Sequence, residues 1–199
     1  MTPGWQFGSI RGGDAPPPAS IIVKIGGSLL ARPGWPAALA TLLDGINQPL
    51  LVVGGGSVVD GLRAIDRASP QPAALMHDLA IRGMTLTARL VADALNLPLV
   101  NVPTAPYPAV LDVAAWLDVA DPPPDLPAGW DVTSDSLAAA AAVAGHHGLL
   151  LVKSVPPRDR AASLQSLAAA GWIDAHFEAA AAPLATIAWA APSPAFDDS

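Results

Sequence analysis

The stretch "IIVKIGGSLL" (Ile21–Leu30) sets one lysine inside an apolar run and follows it with two glycines. A five-residue apolar run closed by glycine reads as a buried strand ending in a tight turn, and a lysine at its end is anomalous for a core position. The anomaly recurs. The chain has only two lysines against eight arginines, and the second, Lys153, ends the run "LLLVKSV" (149–155).

Around these strands, short β-prone runs alternate with longer helical patterns. That is the form of an α/β fold, with helices on both faces of a mainly parallel sheet. Strands are expected at 21–25, 49–53, 98–102, 149–152 and 185–190. Helices are expected at 35–46, through "VVDGLRAIDRA", over 72–96, through "TSDSLAAAAAVAGHHG", at 159–170 and briefly around 175–181. Thr133 or Ser134 is the expected N-cap of the alanine-rich helix and Gly148 its end. Residues 119–131 read as a proline-stiffened loop. Residues 1–19, rich in glycine and proline, read as a flexible tail stiffened by Pro16–Pro18, leaving 20–199 as one domain.

Composition limits the function. The 199 residues are 52% apolar and 14% charged, enough for a sizeable core. A net charge of −7 argues against nucleic acid or an anionic membrane as partner. The absence of cysteine removes disulfides, thiolate metal sites and a cysteine nucleophile, and no metal ligands are assigned. No signal peptide or membrane span is read, so a cytoplasmic setting is expected.

Glycines after a strand leave backbone N–H groups free to face an anion, and a helix start adds positive potential. "KIGGS" has that outline without the order of a Walker A loop. "LVVGGGSVVD" (51–60) repeats it after the second strand, where three successive glycines serve either ligand approach or a tight strand–helix turn. Asp135 stands in the first turn of a helix, a position acidic residues favour for dipole reasons alone. A strand-end lysine commonly snorkels to water. Taken together, the residues suggest something sharper. Two ammonium groups about 6 Å apart repel by about 3 kcal/mol at an effective dielectric of 20, so a cleft holding both needs an anion between them. Asp135 precedes the Lys153 strand and can supply it.

"VKIGGSLL", "LVVGGGSVVD", "TSDSLAA" and "LLLVKSV", in that order, resemble the amino-acid kinase superfamily, from about Ser20 to the end. "MHDLAIRGM" and "WDVTSDSLAA" further resemble the small branch that phosphorylates an aminomethylfuran phosphate in methanofuran synthesis. The resemblance implies ATP and Mg²⁺ as cofactors and a small phosphate or carboxylate acceptor. It implies that Lys24 contacts the transferred phosphoryl group and that Gly26, Gly27 and Ser28 bind nucleotide phosphates. Gly54, Gly55, Gly56 and Ser57 would line the acceptor site, Asp135 would orient the lysines, and Lys153 would stabilise charge on the nucleotide side. His77 and Arg82 are candidates for acceptor binding. Trp130 is expected to pack as core or lid, and His146 and His147 have no catalytic role. After Lys153 the chain reads "KSVPPRDRAASLQ", so a shortened C-terminal nucleotide lobe is expected. The alternative is a non-catalytic relative that binds an oxyanion as a storage, sensor or assembly subunit. The apolar excess of helix 72–96 suits either a homodimer or hetero-oligomer, the expected state, or cover by the N-terminal tail.

Overall fold

The computed structural model describes residues 4–13, 20–104 and 108–193. Among these residues seven strands form one sheet: β1 (Trp5–Arg11), β2 (Ile21–Ile25), β3 (Pro49–Val53), β4 (Leu99–Val100), β5 (Ala109–Leu111), β6 (Gly148–Val152) and β7 (Ile187–Pro192). Their spatial order is β1-β7-β6-β2-β3-β5-β4. Every pairing is parallel except that of β1 with β7. The helices are α1 (Trp35–Leu43), α2 (Gly56–Ala68), α3 (Ala73–Ala94), α4 (Val113–Val119), α5 (Ser134–Ala144), α6 (Leu164–Ala169) and α7 (Phe177–Ala180), with a 3-10 turn at Gly27–Ala31.

The period of two along each strand divides the core into two layers. Ile22, Leu50, Val52, Leu149 and Leu151 face α5, α6 and α7, while Ile21, Val23, Ile25, Leu51 and Leu150 face α1. The long α3 serves both, with Ile81 and Met84 in one cluster and Ala88 and Val91 in the other. The expected three-layer α/β/α arrangement is therefore what the chain adopts. Among the described residues α6, α7 and β7 follow β6. Among the described residues no helix is long and apolar enough to cross a membrane.

α5 explains the position of the site. Its alanines allow close approach to the sheet, and every residue from Asp135 to Ala142 is buried. Thr133 is its N-cap. The helix ends at Ala144 rather than at Gly148, because the chain turns through Gly145 and His146, which takes φ 56°, and Gly148 opens β6.

Several other expectations need correction. The amino-terminal segment is not all tail, since Trp5–Arg11 pairs with β7 along the edge of the sheet. Gly8 is what lets the strand cross Trp189: a Cβ there would lie 2.5 Å from the indole. Pro16–Pro18 lie outside the described residues. The strand expected at 98–102 is only Leu99–Val100, and the missed β5 and α4 follow it. Asp112 follows β5 and caps α4, accepting from Ala115 N at 3.3 Å and from Thr85 Oγ1 at 2.8 Å. The helix expected from 159 starts at Leu164, where Ser163 Oγ accepts from Ser166 N at 3.2 Å.

Candidate active site

Lys24 lies in β2 and Lys153 directly follows β6, which pairs with β2 in parallel register. Lys24 shares the sheet face of Ile22, and Lys153 continues the row of Leu149 and Leu151, so both side chains fall on the α5 side. Asp135, in the first turn of α5, meets them there. Lys24 Nζ lies 2.8 Å from Asp135 Oδ1 as an ion pair. Lys153 Nζ donates to Oδ2 at 2.6 Å. Lys24 and Asp135 are each only 4% exposed.

The charges govern one another. Burial alone would raise the Asp135 pKa, but the ammonium groups of Lys24 and Lys153 outweigh it and hold the carboxyl at about 2. Lys153 is pushed down to about 8, first by burial and then by the charge of Lys24, with Asp135 opposing. The indole of Trp172 covers Lys153, its ring centroid 5.2 Å from Nζ, and Trp172 Nε1 donates to Val155 O at 3.1 Å.

The glycine turns close against each other. Gly54 N donates to Ile25 O at 2.9 Å, joining the end of β3 to that of β2. A Cβ on Gly27 would stand 2.1 Å from Gly56 N, and Gly56 has φ 50°. Backbone contact between the two turns therefore requires glycine at both positions, whatever ligand they meet. Gly26 is not a free donor, because its N–H reaches Val152 O at 2.8 Å.

Beyond the lysines opens a cavity of about 260 Å³. Its walls include Gly27, Ser28 and Gly54–Gly56 from the turns, His77, Ile81 and Met84 from α3, and Trp130 from the loop before α5. His77 Nδ1 lies 3.1 Å from Gly129 O. Since a carbonyl only accepts, Nδ1 carries the proton and Nε2 remains the ring's other polar atom. Ser28 Oγ donates to Ser154 Oγ at 3.2 Å across the entrance between the β2 and β6 turns.

The structure thus gathers Lys24, Asp135, Lys153, Gly27, Ser28, Gly54, Gly55, Gly56 and His77 around one cavity. Three candidates fall elsewhere. Gly26 stands behind the turn, and Ser57 is exposed in the first turn of α2, outside the cavity wall. Arg82 points away, its Nε donating to Asp78 Oδ2 at 2.9 Å and its Nη2 lying 3.6 Å from Asp118. The helical period accounts for that: five positions on from His77 is the opposite face of α3.

Arg63 and Asp174 were missed. Arg63 lines the cavity, its guanidinium 5.0 Å from the Trp130 ring centroid and 3.0 Å from Asp60 Oδ1. Trp130 Nε1 donates to Asp66 at 2.7 Å, so the indole is fixed as part of the wall rather than as core. An arginine in "VVDGLRAIDRA" carries no mark that distinguishes it from a solvated one. Asp174 sits beside Thr133 and Ser136 at the start of α5. It follows a stretch with no recognisable motif.

Solved structures similar in part include the uridylate kinase of Archaeoglobus fulgidus, 18% identical over 70% of this chain and 68% of that one, with a TM-score of 0.49. UMP kinases of Bacillus anthracis (14% identical, 71% and 67% covered, TM-score 0.48) and Ureaplasma parvum (14%, 70% and 69%, 0.49) are others. No curated protein gives a significant match by sequence. The family model of the amino acid kinase family matches residues 19–112, a segment that contains Lys24 and both glycine turns, and this supports the resemblance of the chain to that superfamily.

Proposed function

We propose that the protein is a small-molecule kinase, moving the γ-phosphoryl group of ATP to a phosphate or carboxylate acceptor. One observation carries this reading: buried Lys24 and partly buried Lys153 reach opposite oxygens of Asp135 at the rim of a cavity floored by two glycine turns. In the resting site the carboxylate offsets one of the two positive charges, and a transferring phosphoryl group bound between the lysines meets charges already in place. Lys24 contacts the moving group, Lys153 offsets charge on the donor side, and Asp135 orients both. Gly27 and Ser28 face the donor phosphates. Gly54–Gly56 and His77 face the acceptor. Mg²⁺ fits as an ion carried on the donor phosphates, where it neutralises their charge, because both Asp135 oxygens are engaged by lysine.

The acceptor we favour is the aminomethylfuran phosphate of methanofuran synthesis, a one-carbon cofactor pathway of the cytoplasm. Trp130 offers a flat apolar wall for a ring, and Arg63 and Asp60 offer one charge of each sign at the same wall. A cavity of about 260 Å³ suits a small acceptor better than a whole nucleotide. Exposed Leu75, Leu79, Leu86 and Leu90 on α3, between 38% and 60% accessible, favour a homodimer through that helix. The test is incubation with Mg-ATP and the furan monophosphate. ADP and a diphosphate product are expected in equal amounts, both lost in Lys24→Ala. ADP at the background of that variant removes the reading.

A second reading, an oxyanion-binding protein without turnover, is favoured by Trp172 lying over Lys153 on the donor side. It expects phosphate to bind in calorimetry with a dependence on Lys24, while ATP gives no heat.

A further inference from the structure

The first turn of α5 is anchored from outside its own helix. Asp174 lies between α6 and α7, and its two oxygens bracket Asp135 in the sequence. Oδ2 accepts from Thr133 N at 2.9 Å, Thr133 Oγ1 at 2.8 Å and Ser136 N at 3.0 Å. Oδ1 accepts from Ser136 Oγ at 2.5 Å and from His176 N at 3.2 Å. The Thr133 hydroxyl is a relay: it donates to Asp174 and accepts from Asp135 N at 3.4 Å.

Of the four N–H groups that a helix start leaves without an intrahelical partner, Thr133 Oγ1 takes that of Asp135 and Asp174 that of Ser136. The second, remote carboxylate adds what a cap does not. It fixes the residues on either side of Asp135 to a different part of the chain, so the turn cannot slide along the sheet. Catalytic groups must be held within about 0.5 Å of their working geometry, and supporting hydrogen bonds of this kind do it. The requirement is strict here because one carboxylate serves two lysines from two strands, and a shift toward either abandons the other.

We propose that Asp174 is a positioning residue, clamping residues 133–136 so that Asp135 stands where Lys24 and Lys153 reach it together. The effect on turnover rests on the kinase reading above; the effect on the lysines does not. Lys153 is faced by Asp135, Lys24, Asp174 and the Trp172 ring, so both the charge and the placement of Asp174 register at its ammonium.

Because the chain has only two lysines, each can be followed singly by NMR of ¹³Cε-lysine protein, assigned with Lys24→Arg. In Asp174→Asn the amide faces backbone N–H groups that need an acceptor. Both lysine resonances are expected to shift, the Lys153 titration to move below its wild-type midpoint, and kcat to fall about tenfold with KM little changed. Ser163→Ala, which removes the cap of α6, is the control: it lowers Tm and leaves both lysines alone. Asp174→Asn that loses stability in the same way, with both lysine resonances at their wild-type positions and the Lys153 titration unmoved, overturns the proposal. If Asp174→Asn does not fold, Ser136→Ala decides, since it deletes one clamp bond and keeps the charge. A smaller shift in the same direction supports the clamp, and unmoved lysines reject it. A wild type without kinase activity sinks the kinase reading and leaves the lysine measurement intact.

Discussion

Lys24 and Lys153, from the carboxyl ends of neighbouring parallel strands, hold opposite oxygens of one buried carboxylate, at 2.8 and 2.6 Å. Removing that carboxylate should therefore do two things at once. Asp135→Ala leaves buried Lys24 and partly buried Lys153 facing each other without an anion and is expected to cost about 3–5 kcal/mol in urea unfolding at neutral pH. Millimolar phosphate should recover part of that loss, because it takes the place of the carboxylate, and should stabilise the variant more than the wild type. A change under about 0.5 kcal/mol would mean that the cluster is not coupled.

The pH dependence follows from the same cluster. Lys153 has a folded pKa of about 8 against an ordinary 10.5, so between those values the unfolded chain binds the proton and the folded chain does not. Its contribution to stability rises with pH across that window. Its catalytic role runs the other way, since only the ammonium form offsets charge, and kcat should fall as pH rises through about 8. Asp135, at about 2 against 3.8, contributes stability above the ordinary value that is lost as pH falls from there through about 2. Lys153→Arg, whose guanidinium stays charged, should flatten the alkaline limb of the rate profile.

Two glycines test the role of the turns. Gly27→Ala places a methyl 2.1 Å from Gly56 N, a backbone atom that cannot yield without moving α2, and several kcal/mol of destabilisation are expected on the order of the worst packing changes. Gly61, in the middle of α2 with nothing within 4 Å of a Cβ, should behave oppositely. Gly61→Ala is expected to stabilise by about 0.5–1 kcal/mol through helix propensity. Thermal or urea unfolding of the pair measures both.

The strands carrying the lysines were legible because burial on both faces leaves a run of apolar residues, against which one charge stands out. The convergence on Asp135 was legible by charge balance. What escaped was set by long-range packing. Trp5–Arg11 lies in a segment that reads as tail because it is rich in glycine and proline and has no period, yet its Gly8 answers to Trp189, a residue toward the far end of the chain. β5 has three residues, too few to show a period. Gly26 seemed equivalent to Gly27, but its N–H belongs to the sheet. Arg82 has the charge that suits an acceptor phosphate and shares a helix with His77, but its partners Asp78 and Asp118 lie outside the site.

The exposed leucines of α3 predict association. Leu86, 60% accessible, is central to the stripe. Sedimentation of the wild type should give a dimer at micromolar concentration, and Leu86→Glu should give a monomer with an intact fold. A monomeric wild type would remove the α3 interface.

The central claim, that both lysines close on one phosphoryl group, is tested most directly with a planar mimic of that group. Binding of Mg-ADP with aluminium fluoride should be measured by calorimetry in the wild type, Lys24→Met and Lys153→Met. Tight binding by the wild type is predicted, weakened about 10²–10³-fold by either substitution. Equal affinity in the wild type and either variant would contradict the account.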